Sequence, residues 1–234
     1  MLTLADKIIS FYKELCFEGR LPERISLMNP FRENPKVMDT ISLFYRKYYS
    51  DNRNRHMILG INPGRFGAGT TGIPFTDTVR LENKCGISLP GIKTYETSSV
   101  FMYEMIDHYG GPEKFYSDHY ISSVSPLGFT ISGNKGREVN YNYYDSRELT
   151  SAIMDFILES LRKQLDFGIL RDTCFCLGTG KNFRFISELN NIHNFFERIV
   201  PLEHPRYIMQ YRLKKKELYI NTYIKNLRIK NAHI

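Results

Sequence analysis

Apolar residues recur near helical spacing in two N-terminal segments. From Leu2 to Phe17 they fall at Leu4, Ile8, Ile9, Phe11, Tyr12 and Leu15, and from Lys36 to Tyr49 at Val37, Ile41, Phe44 and Tyr48, which predicts two amphipathic helices. The pattern then changes. His56 to Ile61 is a short apolar run stopped by Asn62-Pro63-Gly64, the signature of a buried strand ending in a loop. Tyr120 to Val124 before Ser125-Pro126, Thr173 to Leu177 before Gly178-Thr179-Gly180, and Phe196 to Val200 before Pro201 have the same character. Helical patterns lie between these runs at Thr97 to Tyr109, Ser146 to Leu165 and Asn182 to Leu189. Buried strands alternating with helices predict an α/β fold whose mostly parallel sheet is covered on both faces. With no low-complexity linker and no internal repeat, residues 1–234 are expected to form a single domain.

Ligands of open α/β sheets bind beyond the carboxyl ends of the strands. The loops beginning at Asn62, Ser125, Gly178 and Leu202 should therefore converge on a site. The first of them, Gly60 to Asp77, reads GINPGRFGAGTTGIPFTD, with five glycines, two prolines and three threonines in eighteen positions. Such a backbone can approach a ligand closely. It is not a dinucleotide fingerprint, because the glycines at 64, 67 and 69 run G-x-x-G-x-G and lead to Pro74 rather than to a helix. Gly178-Thr179-Gly180-Lys181 resembles the end of a phosphate-binding loop but has Phe175 and Asn182 where that motif needs glycine and Ser or Thr. Two readings stay open for it: backbone amides at a helix start that meet a phosphate, and a plain strand-to-helix turn.

The formal charge is +7, and its placement matters more than its sign. From Arg206 to the end stand Arg206, Arg212, Lys214, Lys215, Lys216, Lys225, Arg228 and Lys230 against Glu217 alone. So local a block of cations is either an electrostatic footprint for a polyanion such as nucleic acid or a solvated helix face. The four cysteines, Cys16, Cys85, Cys174 and Cys176, do not form a zinc or iron–sulfur spacing and read as buried thiols. No run of eighteen apolar residues occurs, and Asp6 and Lys7 interrupt the first ten positions, so a soluble cytoplasmic protein with no membrane partner is expected.

Four segments together, G-I-N-P-G-R-F-G at Gly60 to Gly67, T-G-I-P-F at Thr71 to Phe75, S-P-L-G-F at Ser125 to Phe129 and H-P-R at His204 to Arg206, resemble the uracil-DNA glycosylase superfamily. The likeness is nearest to its single-strand-selective monofunctional (SMUG) type, in a divergent bacterial branch. The resemblance implies a three-layer α/β/α fold with a central, mostly parallel four-stranded sheet. It also implies a monomer of the bacterial cytoplasm that hydrolyses the N-glycosidic bond of uracil in single- or double-stranded DNA, with no metal or organic cofactor.

Carried over residue by residue, Asn62 falls where the family positions the attacking water. The sugar carbon becomes oxocarbenium-like as the base leaves and accepts a weak nucleophile, so a neutral amide that orients water suffices. His204 falls where a histidine hydrogen-bonds the carbonyl oxygen of the departing base, and such a preorganised donor is worth roughly a factor of 10² to 10³. Ile61, Gly64 and Phe75 are expected around the base, with Phe75 stacking on it and Gly64 leaving room above it. Two departures from the family stand out. Ser123 occupies the place of the family's pyrimidine-reading asparagine, and a serine hydroxyl exchanges donor and acceptor roles by rotating. This points to hypoxanthine and xanthine as additional substrates. After His204, the bulky Arg206-Tyr207-Ile208 replaces the small residues of the family's wedge. These three, with Gly178, Thr179, Arg212, Lys214, Lys215 and Lys216, are the expected DNA contacts. Two other functions fit the composition: a non-catalytic module for single-stranded or damaged DNA, and a hydrolase of free nucleosides or nucleotides.

Overall fold

In a computed structural model of the chain, described here for residues 2–133 and 136–228, two sheets share one buried cluster of side chains. In chain order the elements are helix α1 (Leu4–Glu14), strand β1 (Ile25–Met28), α2 (Pro30–Glu33), α3 (Pro35–Tyr48), β2 (Arg55–Gly60), α4 (Ala68–Thr71), α5 (Thr78–Cys85), α6 (Thr97–Tyr109) and α7 (Pro112–Asp118). They continue with β3 (His119–Ser123), β4 (Gly128–Ser132), β5 (Glu138–Tyr141), α8 (Arg147–Ala152), α9 (Met154–Leu165), β6 (Ile169–Leu177), α10 (Lys181–His193), β7 (Arg198–Leu202), α11 (Pro205–Tyr211) and α12 (Lys216–Leu227).

The main sheet has four parallel strands in the order β3-β2-β6-β7. Every residue of β2 is buried, and since successive side chains point to opposite faces, both faces of the sheet are covered. That confirms the α/β architecture expected from the alternating runs. The registers Gly60↔Ser123, Leu59↔Cys176 and Leu177↔Leu202 bring the carboxyl ends of all four strands level. The expected Phe196–Val200 strand lies two residues further on, at Arg198–Leu202. It includes Pro201, which an edge strand tolerates because one of its sides needs no ladder donor.

Three features depart from the pattern reading. The helix expected over Ser146–Leu165 is two helices, broken at Ile153 (φ −110°, ψ 9°), whose side chain is fully buried. A second, antiparallel sheet of order β1-β4-β5 was not anticipated. Its strands are four or five residues long, with β1 and β5 partly exposed and β4 buried over its first three residues. The basic segment after His204 is helical, as α11, a 3-10 turn at Leu213–Lys215 and α12. Lys230 lies outside the described residues.

The start of β2 is fixed by a fully buried arginine. Arg55 donates to the carbonyls of Tyr116 (2.8 Å), Arg53 (2.8 Å) and Tyr48 (3.3 Å), and it bonds both carboxylate oxygens of Asp51 (2.8 and 3.1 Å). Removing it would strand three carbonyls and a carboxylate whose partner spans α3, α7 and β2. Arg55→Ala should therefore lower the urea-extrapolated unfolding free energy by about 3 kcal/mol. A loss below about 1 kcal/mol would show that water replaces the guanidinium at little penalty.

Candidate active site

A cavity of about 580 Å³ opens at the level carboxyl ends of the parallel strands, lined by residues of the loops beginning at Asn62, Gly178 and Leu202; the loop expected at Ser125 contributes none, and Ser123 at the end of β3 lines the wall instead. Its floor depends on the absence of a side chain at Gly60. A Cβ there would lie 2.8 Å from the Phe75 ring and 3.4 Å from Ser123 Oγ. The ring therefore rests on the end of β2 beside the serine. Phe75 itself has φ +54°, a left-handed conformation that a bulky residue keeps only when its surroundings impose it. The imposing contacts come from Thr71, whose hydroxyl donates to Thr76 O (2.6 Å) and accepts from Ile73 N (3.2 Å). Half-buried Phe75 turns its ring to His204 at a centroid distance of 5.8 Å. The Ser123 hydroxyl, on the cavity wall, makes no hydrogen bond to protein among the described residues.

Asn62 follows β2 and is held by the end of β5. Its Oδ1 accepts from the backbone N–H of Tyr143 (3.0 Å), and its Nδ2 donates to the carbonyls of Tyr141 (3.2 Å) and Pro63 (3.3 Å). These partners leave only one orientation of the amide, because a flip would set N against a donor and O against acceptors. Both N–H groups are thereby used, while Oδ1 accepts one hydrogen bond among the described residues and keeps a second lone pair. Tyr143 carries the linkage onward: its hydroxyl donates to Asn182 Oδ1 (2.8 Å), and Asn182 Nδ2 reaches Leu177 O (3.0 Å) and Gly60 O (3.4 Å). Tyr143 and Asn182 were not anticipated as site residues. Only the polar and aromatic stretch Asn140 to Tyr144 hinted at the first.

His204 is the N-cap of α11, and its Nδ1 accepts from Arg206 N (3.1 Å). An accepting Nδ1 carries no proton, so the neutral ring bears its hydrogen on Nε2. Burial, and then the nearby Arg206 guanidinium, lower its pKa to about 4. The ring is thus a neutral donor on the cavity wall.

Of the remaining expected residues, Ile61 and Gly64 line the cavity, as do Gly178, Thr179, Arg206 and Tyr207. Gly178 has φ +116°, and its N–H is taken by Leu202 O (2.7 Å), while the Thr179 hydroxyl donates to Glu203 (3.0 Å). The Gly178 amide is therefore not free for a phosphate. Ile208 must be withdrawn from the DNA-facing set: it is 0% exposed and faces the core, and the helical period brings Tyr211, 66% exposed, to the cavity rim instead. Arg212 is exposed and lies over the Tyr207 ring at 5.2 Å. Lys214 and Lys215 are exposed, but Lys216 pairs with Glu104 of α6 at 2.5 Å.

A four-stranded parallel sheet with a polar cavity at its strand ends gives the site's architecture, and comparison with known proteins gives its class. The family model for the uracil DNA glycosylase superfamily matches residues 46–228, and the chain belongs to that superfamily as an N-glycosyl hydrolase acting on DNA. It is similar to a solved structure, wild-type SMUG2 of Pedobacter heparinus, at 54% identity and a TM-score of 0.95, over 97% of this chain and 98% of that one. No curated protein matches. Among the described residues no helix is long and apolar enough to cross a membrane.

Because the folded His204 titrates near pH 4, below the ordinary 6.5, it stays neutral throughout the physiological range and gains a proton only on strong acidification. Single-turnover excision of uracil at saturating enzyme should accordingly show no inflection near pH 6.5. An inflection there that disappears in His204→Gln would mean that the imidazolium is the working form.

Proposed function

We propose that this enzyme removes uracil and the deaminated purines hypoxanthine and xanthine from DNA in base excision repair. In this reading Asn62 positions the water, His204 Nε2–H binds the departing base, and Phe75 stacks on it. The observation that carries the reading is the convergence of a fixed Asn62 amide and a neutral histidine donor on one cavity at the strand ends. A module that merely binds DNA needs neither group, and a hydrolase of free nucleosides has no use for the cations beyond Arg206. The purine scope rests on Ser123, whose short side chain widens the cavity where the family's asparagine would hold a pyrimidine edge. Without a lysine in the recognised motifs to form a Schiff base, the product is an intact strand with an abasic site. The buried cluster shared by both sheets supports reading the chain as one catalytic unit, acting as a monomer in the bacterial cytoplasm.

Oligonucleotides carrying each base, followed by alkaline cleavage of abasic sites, test the reaction. Asn62→Ala or His204→Ala should slow single-turnover excision of uracil by roughly 10² or more. Near-normal excision by Asn62→Ala would remove it as the residue that positions water. On the same substrates Ser123→Asn should shift kcat/KM toward uracil several-fold, since a gained hydrogen bond is worth about 0.5 to 1.5 kcal/mol. An unmoved ratio would mean that Ser123 does not read the base.

The exposed cations should act on affinity through counterion release. Neutralising Lys214 and Lys215 should flatten the salt dependence of single-strand binding by about 0.7 for each phosphate left unneutralised. Neutralising Lys216, already paired with Glu104, should flatten it less. Equal slopes in all variants would place the DNA elsewhere.

A further inference from the structure

Glu96, the N-cap residue of α6, had no place among the residues expected from the sequence, yet it lines the cavity. Its Oε1 stands 3.2 Å from where a Cβ on Gly64 would lie, and its Oε2 fills the space of a Cβ on Gly67. The carboxyl therefore occupies the gap that these two glycines leave beside the base pocket. Asn140 Nδ2, 3.3 Å from the same Gly64 position, stands next to it. Among the described residues no N–H or O–H donates to either Glu96 oxygen, although the side chain is half-buried. Its backbone N–H donates to Asp77 Oδ2 (2.7 Å), so a second, fully buried carboxylate is close by. A carboxyl that accepts no hydrogen bond among the described residues and has a like charge beside it is arranged to hold a proton.

We propose that Glu96 is a further catalytic residue, a general acid that delivers a proton to N7 of a deaminated purine as its bond to the sugar breaks. The inference rests on the purine scope proposed above. A pyrimidine has a carbonyl beside its glycosidic nitrogen, where a histidine donor can stabilise the developing charge. A purine has ring N3 at that place instead, and the electron pair of the breaking bond spreads into its imidazole ring. Protonation of N7 neutralises that ring. In a nucleoside, N7 lies on the edge where a pyrimidine has C5, away from the carbonyl side, and Gly64 with Glu96 forms the wall expected to face that edge.

The step balances. The C1′–N9 bond breaks with its electron pair passing to the base, and the Glu96 proton goes to N7, so the purine leaves neutral. The water held by Asn62 adds its oxygen to C1′, and the proton it releases restores the acid.

Several charged groups surround Glu96. Asp77 at the start of α5 is itself paired with Arg80 (3.0 Å), Arg206 of α11 lies across the cavity, and Arg65 is on the glycine-rich loop. His204, also facing the cavity, is neutral. Burial and then Asp77 push the Glu96 carboxyl up to about 7, while Arg206 pulls against them. A DNA phosphate bound at Arg206 would offset that opposing charge and favour the protonated acid further.

The test compares single-turnover excision of hypoxanthine and uracil by wild type and Glu96→Gln across pH 5–9, with melting temperature as the folding control. The amide keeps the shape but cannot give up a proton. The ratio of hypoxanthine to uracil rates should fall by roughly 10² in the variant. In wild type the hypoxanthine rate should decline above about pH 7 relative to uracil, and the variant should lose that decline. On a 7-deazapurine substrate, which lacks the acceptor, wild type and variant should react alike. Equal losses on both bases, with rates that rise with pH, would make Glu96 a base acting on water and overturn the proposal. An unchanged ratio would reduce Glu96 to a wall of the cavity and also overturn it. If wild type excises uracil but neither purine, the purine scope itself fails, and that outcome is distinct from purine excision that does not depend on Glu96.

Discussion

The amide of Asn62 is held on three sides by backbone groups, and the geometry of the site follows from that restraint. Tyr143 N–H, Tyr141 O and Pro63 O determine which way the amide faces, and they leave one oxygen lone pair without a partner among the described residues. The restraint has to be delivered from outside the parallel sheet, because Asn62 lies just past the end of β2. The small antiparallel sheet supplies it: β5 ends at Tyr141, and the turn that follows lays Tyr143 against Asn62. The same tyrosine is tied back to the parallel sheet through Asn182, which bonds the carbonyls that end β2 and β6. One polar chain thus locks together the two sheets at Asn62, the residue we propose orients the water. Positioning on this scale is worth as much as chemical activation when the nucleophile is weak, since a misplacement of about 1 Å can cost roughly 10² in rate.

The cavity is electrically quiet in a way that suits this chemistry. Asn62, Ser123 and Phe75 are neutral, and His204 is kept neutral by burial and by an N-cap bond that requires an unprotonated Nδ1. Preorganised neutral dipoles stabilise charge as it develops on the leaving base without a full charge in the ground state. Of the cations, Arg206 and Lys181 stand on the cavity wall, while Arg212, Lys214 and Lys215 are exposed on the segment that follows α11, where they can meet phosphates. Glu96 is the exception: its carboxyl fills the gap left by Gly64 and Gly67 without accepting a hydrogen bond among the described residues, and its proposed role rests on that placement.

Much of this could be read from the sequence, for physical reasons that also mark the limit. Strands β2 and β3 are buried throughout and β6 over its last five residues, so their apolar runs are unbroken and visible, whereas the edge strand β7 is only partly buried and its expected run falls two residues early. The strands β1, β4 and β5 are short and carry Ser26, Ser132, Glu138 and Asn140, and β1 and β5 are partly exposed, so no run or strict alternation announces them. Because β5 went unseen, so did the restraint on Asn62. Asn62 and His204 were legible because each sits in a local motif. Glu96 was not, because its link to Gly64 spans thirty-odd residues and exists only in the folded chain. Ile208 was misplaced, since the wedge expected after His204 folds as a helix that turns Ile208 inward and Tyr211 outward.

The most direct test of this account is the Tyr143→Phe variant, which removes one hydroxyl and leaves the ring packing in place. Single-turnover uracil excision at saturating enzyme, measured well below the variant's melting temperature and beside its affinity for an abasic-site oligonucleotide, reads the positioning of Asn62 separately from binding. If the chain from Asn182 through Tyr143 fixes the water-orienting amide, excision should fall by about tenfold or more with product affinity little changed. Excision at the wild-type rate in a folded Tyr143→Phe enzyme would contradict the account, because Asn62 would then be positioned without the linkage on which this description of the site depends.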